Sequence, residues 1–165
     1  MESLLLEGLR LITPRVHTDA RGFFLESYRE DTDRFVQDNH SFSTKGVLRG
    51  MHFQKGQAKL IRVAVGCIFD VAIDVRRDSP TFGQWCGVYL DGDKHEQLLI
   101  PSGFAHGFCV MSENAHVLYK VSTFYDPELE SGFRYDDPKV GIEWPLNELI
   151  LSERDRNAPC LEDVV

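Results

Sequence analysis

The stretch GVLRGMHFQKGQAKLIRVAVG, residues 46–66, decides how this 165-residue chain folds. It holds two strand-like runs, Gly46–Met51 and Leu60–Val65. It ends on Gly66, placed as a hairpin turn requires between Leu60–Val65 and the next run, Phe69–Val75. Working outward, the same kind of text recurs at Gly22–Tyr28, Trp85–Leu90, Gln97–Ile100, Ala105–Val110 and Val117–Val121. Each run is short, rich in Val, Ile, Phe or Tyr, and bounded by Gly, Asp, Pro or Ser. Turn signals about every ten residues predict an antiparallel sandwich or barrel rather than alternating βα units. Helical text is confined to Glu30–Val36 and to Leu146–Leu151 after Pro145. The predicted fold class is all-β with short peripheral helices. With no repeat, low-complexity tract or linker in view, a single domain over residues 1–165 is expected.

The hydrophobic fraction of 42% supplies enough apolar surface for a core and argues against disorder. Twenty-six acidic against 18 basic residues, a net charge of −8, exclude the broad positive footprint of a general nucleic-acid binder. A local cluster of arginines for a small anion stays compatible with that balance. The opening MESLLLEGLRLITPR is interrupted by Glu7 and Arg10, too short and charged for a signal peptide or membrane span. Cys67, Cys86, Cys109 and Cys160 form no C-x-x-C pair. They read as reduced thiols, three of them as small core residues, and a soluble cytoplasmic protein is the expectation.

Within the opening stretch the spacing runs Gly46, His52, Gln54, Lys59, Gly66. This resembles the first cupin motif, which usually has His, His and Glu where this chain has His52, Gln54 and Lys59. PSGFAHGFCV, residues 101–110, keeps Pro101, Gly103 and His106 at the spacing of the second cupin motif, with Val110 where Asn is frequent. The resemblance implies a cupin jelly-roll barrel, in agreement with the strand reading. A cupin metal site needs several imidazole or carboxylate ligands around one ion. Here Gln54 is a poor ligand and Lys59 puts a cation where a carboxylate belongs, which disfavours a bound divalent ion. No metal and no cofactor are expected, and the histidines are left for proton chemistry.

Ten strings in order, DARGFFLES, FVQDNHS, VLRGMHFQ, KLIRVAVGCIFDVAIDVR, SPTFGQW, IPSGFAHGF, LYK, YDPE, GIEWP and LSERD, resemble the dTDP-4-dehydrorhamnose 3,5-epimerase family, the RmlC-like cupins, from about residue 17 to residue 160. The resemblance implies a metal-free homodimer, with sites shared across its interface, that inverts carbons of a 4-keto-6-deoxy sugar carried on a nucleotide diphosphate. Such chemistry needs a base, an enolate stabiliser and an acid on the opposite face. By resemblance His52 is the base, Asp155 its carboxylate partner, Lys59 the cation at the enolate and Tyr119 the acid. His106 lines the sugar pocket, and Asp70 is a buried carboxylate orienting His106 or Lys59. Arg49 supplies positive charge for the diphosphate, a role suited to the planar guanidinium fork. Gln37 and Asn39 match nucleotide contacts, Arg21 and Glu26 match positions reaching into the neighbouring subunit, and Glu130 and Arg154 match peripheral binding positions.

Read without the resemblance, each of these residues has a plainer account. His52 fits a core histidine, Lys59 a strand-edge lysine, Tyr119 a barrel aromatic and Asp155 a solvated tail. The chain is also shorter than the family pattern between RGFFLES and VQDNHS and between His52 and Lys59. The first gap lies beside the presumed nucleotide contacts. Inversion of one carbon only, a 3,4-ketoisomerase of related sugars, and a non-catalytic sugar-binding cupin are the alternatives. Retention of base, lysine and tyrosine together favours the epimerase.

Overall fold

Strands dominate because β-branched and aromatic residues repeat between glycine and aspartate turns. The computed structural model describes residues 2–3, 6–30 and 34–165. In chain order the strands are β1 (Glu2–Ser3), β2 (Arg10–Ile12), β3 (Val16–Asp19), β4 (Gly22–Leu25), β5 (Gln37–Thr44), β6 (Leu48–Gln54) and β7 (Lys59–Val65). They continue with β8 (Cys67–Asp74), β9 (Trp85–Asp91), β10 (Gln97–Ile100), β11 (Phe104–Val110), β12 (Asn114–Val121) and β13 (Glu130–Gly132). One helical turn, α1 (Glu153–Arg156), and a 3₁₀ turn at Leu161–Asp163 follow.

The strands form a six-stranded sheet, β1-β2-β10-β7-β12-β5, and a five-stranded sheet, β13-β6-β11-β8-β9, with β3 and β4 as a separate hairpin. Neighbouring strands are antiparallel throughout. The order within each sheet skips along the chain, as in a jelly roll, so residues distant in sequence meet at the barrel interior. Ile61, Val63, Ile68, Ala72, Phe104, Phe108, Val110 and Val117 fill the space between the sheets. A second cluster of Met51, Phe69, Val71, Ile73, Ala105, Phe133 and Leu161 lies on the far side of the five-stranded sheet, beneath the C-terminal segment. Strand β8, CIFDVAID, therefore packs on both faces, and its Asp70 and Asp74 are fully buried. Gly66 turns the chain between β7 and β8 at φ +86°, where a Cβ would lie 2.1 Å from the Asn114 carbonyl oxygen.

The sequence reading needs correction at several elements. Leu146–Leu151 is not helical: Ile150 makes a single bridge to Val47, just before β6, and its N–H bonds the Gly46 carbonyl. Helix begins only where the Ser152 side chain accepts from Asp155 N–H. Around Glu30–Val36, residues 31–33 lie outside the described residues, and Glu30 and Arg34–Val36 are not helical. The Val36 N–H instead bonds the Val121 carbonyl. Strand β4 stops at Leu25, short of Tyr28. Strand β5 is missing from the sequence reading because QDNHSFST has almost no apolar alternation; it is an edge strand with one polar face toward solvent and the other toward a cavity. Cys109 is buried, while Cys67, Cys86 and Cys160 are half-buried, and all four are free thiols. Among the described residues no helix is long and apolar enough to cross a membrane.

Candidate active site

The barrel interior opens into a cavity of about 420 Å³ lined by residues of both sheets and of the C-terminal tail. From the five-stranded sheet come His52 on β6 and His106 and Phe108 on β11. From the six-stranded sheet come Ser41 on β5, Lys59 on β7 and Tyr119 on β12. His52 and Tyr119 thus rise from opposed walls, so a ligand between them meets one on each side. Arg49, Arg154 and Asp155 complete the lining.

His52 Nε2 lies 2.6 Å from Asp155 Oδ1, and Asp155 Oδ2 accepts from the Gly50 N–H at 3.2 Å. With Nε2–H donated to the carboxylate, Nδ1 is the basic nitrogen, on a side chain still 28% exposed. Burial opposes the charge on Asp155, but the hydrogen bond and charge of His52 and the Gly50 N–H together hold its carboxyl below the ordinary value. The fit around His52 is tight. A Cβ at Gly132 on β13 would lie 2.7 Å from the Met51 carbonyl oxygen and 3.1 Å from His52 Cδ2, so only glycine lets the two strands approach.

Lys59 is buried at the cavity wall, its Nζ 3.4 Å from the His52 carbonyl oxygen. Burial lowers its pKa to about 8 against the opposing pull of Glu130 and Asp70. Burial also raises the Tyr119 phenol above its ordinary value; Arg49 works against this and Glu130 adds to it. His106 Nε2 lies 2.9 Å from Oδ2 of Asp70 on β8, so His106 is the hydrogen-bond partner of that buried aspartate. Asp70 Oδ1 has no partner among the described residues.

At the entrance Arg154 and the Tyr125 hydroxyl both donate to Glu130 Oε2, at 2.9 and 3.1 Å. Gln37 donates to Asn39 Oδ1 and accepts from the Tyr125 N–H, so these two β5 residues are bound to the same rim. Arg49 Nε donates to Ser43 Oγ. Two predicted residues stand apart. Arg21 and Glu26 belong to the β3–β4 hairpin and its exit; Arg21 is 91% exposed and paired with Asp19, and Glu26 is paired with Arg29. Glu26 borders a larger cleft of about 600 Å³ outside the six-stranded sheet, which contains neither His52, Lys59 nor Tyr119.

Sequence reading missed Ser41, Phe108 and Tyr125. Ser41 follows Gln37 and Asn39 at the two-residue period of a strand face, a signal legible only once β5 is known to be a strand. The donor set does not suit a cupin metal ion: Gln54 spends its amide on Thr123, Phe124 and Asp126, and Lys59 brings an ammonium.

Comparison with known proteins agrees with this arrangement. The family model described as dTDP-4-dehydrorhamnose 3,5-epimerase matches residues 3–163. A dTDP-4-dehydrorhamnose 3,5-epimerase of Salmonella typhimurium is 50% identical over 167 residues, covering 94% of this chain and 91% of its own. A dTDP-4-dehydrorhamnose 3-epimerase of Streptomyces niveus is 39% identical, covering 96% and 82%. The solved structure of the Legionella pneumophila dTDP-6-deoxy-D-glucose-3,5-epimerase, in complex with dTDP-4-keto-L-rhamnose, superposes with a TM-score of 0.93 at 47% identity, covering 96% of this chain and 90% of that one.

Proposed function

The chain belongs to the dTDP-4-dehydrorhamnose 3,5-epimerase family and is an epimerase, and from that premise we propose that it inverts C3 and C5 of a dTDP-4-keto-6-deoxyhexose through the cavity residues described above. His52 Nδ1 takes the proton beside the ketone, and the C–H electron pair moves onto the C4 oxygen as an enolate. The Lys59 ammonium faces that developing charge, which is worth most in a dry, buried setting. Tyr119 then gives its hydroxyl proton to the carbon from the other wall, a step open to a weak acid because the enolate carbon is far more basic. Solvent returns the proton to Tyr119 and removes the one on His52. Asp155 holds the imidazole in the Nδ1-basic tautomer and stabilises the imidazolium, as the carboxylate does in a Ser-His-Asp triad. Asp70 orients His106 against the sugar. Arg49 and Arg154 meet the diphosphate, with Gln37, Asn39 and Glu130 around the nucleotide.

The observation that carries this reading is the 2.6 Å His52–Asp155 contact facing Lys59 and Tyr119 in one cavity. Neither member of that dyad nor the facing pair has a reason to converge in a merely structural barrel.

The reading extends to one domain acting in the cytoplasm as a homodimer without metal. Support for the dimer is the hairpin: Arg21 and Glu26 stand away from their own cavity, beside Phe23 and Phe24, which are 61% and 72% exposed. On this reading they serve a neighbouring copy. The test is NMR of dTDP-4-dehydro-6-deoxyglucose in D₂O with the purified protein. Deuterium entering C3 and C5 with formation of dTDP-4-dehydrorhamnose is expected. Label at one carbon alone would make it a mono-epimerase, and no label would refute the assignment.

A further inference from the structure

Gln54 stands where a cupin keeps a metal ligand, yet it is 5% exposed and every polar atom of its amide is engaged. Nε2 donates to Thr123 Oγ1 at 3.0 Å and to the Phe124 carbonyl at 2.9 Å, while Oε1 accepts from the Asp126 N–H at 2.9 Å. Two donations and one acceptance fix the orientation of the amide without ambiguity. Gln57, also buried, adds bonds to the Thr123 carbonyl and hydroxyl at 3.1 and 3.2 Å. The gripped segment leads from β12, which carries Tyr119, to β13, where Glu130 is the register partner of Gln54 itself. Its two ends are therefore tied to one residue, by side chain at 123–126 and by strand pairing at 130.

Between those ties lie Phe124, 71% exposed, and Tyr125, whose hydroxyl bonds Glu130 and through it meets Arg154. The segment is an exposed rim whose geometry rests on a buried clamp. The same strand, β6, carries His52 two residues earlier, so base and rim are referenced to one backbone.

We propose that Gln54 is a positioning residue that sets segment 123–126, and with it Tyr125 and Glu130, to receive the nucleotide end of the substrate. The idea rests on the nucleotide-sugar reading above, but it concerns binding rather than proton transfer. Gln54 does not line the cavity that holds His52, Lys59 and Tyr119, so its loss weakens binding and leaves chemistry intact.

The experiment compares wild type with Gln54→Ala, Gln54→Glu, Thr123→Val and Thr123→Ser. Steady-state kinetics, calorimetric titration with dTDP and thermal melting are run on each. Gln54→Ala raises KM and the dTDP Kd together by about tenfold, with kcat within about twofold and an unchanged pH profile. Gln54→Glu, which removes both N–H donors, does the same. Thr123→Val gives a smaller shift in the same direction, and Thr123→Ser, which keeps the hydroxyl, restores wild-type binding. A folded Gln54→Ala that binds dTDP like wild type overturns the proposal, as does a variant that loses kcat at constant KM. If Gln54→Ala does not fold, the Thr123 pair decides: equal dTDP affinity for Val and Ser overturns it. Absence of deuterium exchange in wild type refutes the epimerase reading separately, because the dTDP titrations judge Gln54 without turnover.

Discussion

His52 Nε2 and Asp155 Oδ1 meet at 2.6 Å although 103 residues separate them, one on a central strand of the five-stranded sheet and the other in a single turn of helix near the C-terminus. The turn is fixed by the Ser152 cap, and the second carboxylate oxygen by the Gly50 N–H. The carboxylate thus reaches His52 already oriented.

Asp155→Asn keeps the shape of this contact but reverses its hydrogen-bond preference, favouring the tautomer with Nδ1 protonated. Proton abstraction then falls by about a thousandfold or more, by analogy with the triad aspartate. His52→Ala abolishes solvent-deuterium exchange altogether while circular dichroism stays native. The linkage sign follows from the depressed Asp155 carboxyl. Its stabilisation is complete above the ordinary carboxylate pKa and is lost as pH falls through the lower folded value. Melting temperature in acid therefore drops less steeply for Asp155→Asn than for wild type.

Lys59 must be charged to stabilise an enolate, and its pKa is lowered to about 8 by burial. Activity therefore declines as pH rises through about 8, well before an ordinary lysine would titrate. Stability moves the other way: between about 8 and 10.5 the unfolded chain holds the proton that folded Lys59 has lost, so this residue's contribution rises with pH. Lys59→Met removes the alkaline limb of the rate profile along with nearly all activity, and melts no lower than wild type. A Lys59→Met protein with wild-type turnover would exclude the enolate role.

Tyr119→Phe keeps the packing of Tyr119 against the inter-sheet core but removes the proton on that wall. Epimerisation falls by about a hundredfold or more, whereas exchange at the carbon facing His52 continues with retention of configuration. Deuterium accumulating in unepimerised substrate, read by NMR, is the distinguishing signal. Loss of exchange and of inversion in equal measure would place the acid elsewhere.

Much of the fold was legible in the text. Gly66 between two apolar runs, and Phe69–Val75 flanked by turns, announce antiparallel strands because backbone sterics and burial act locally. The motif residues His52, Lys59 and His106 were singled out by the resemblance to the two cupin motifs, and the fold brings all three to one cavity. Strand β5 was not legible, because in QDNHSFST only Phe42 is apolar and it faces solvent, while the other face turns polar residues inward. Residues 146–151 misled in the opposite way. Leucine-rich text after a proline suggests helix, but Ile150 pairs with Val47 instead of continuing a helical turn.

By itself the sequence determined an all-β chain with apolar text enough for a core and which residue types stand ready for proton chemistry. Those follow from interactions within a few residues of each other. Only the tertiary structure brings Asp155, which the family resemblance had named, against His52, gives Asp70 a hydrogen bond to His106, and turns Gln54 to the rim instead of a metal. It also set Tyr119 and His52 on opposed walls and left Arg21 and Glu26 outside the cavity of their own chain. Each of those pairings spans tens of residues, and its free energy exists only when two sheets close around a shared interior.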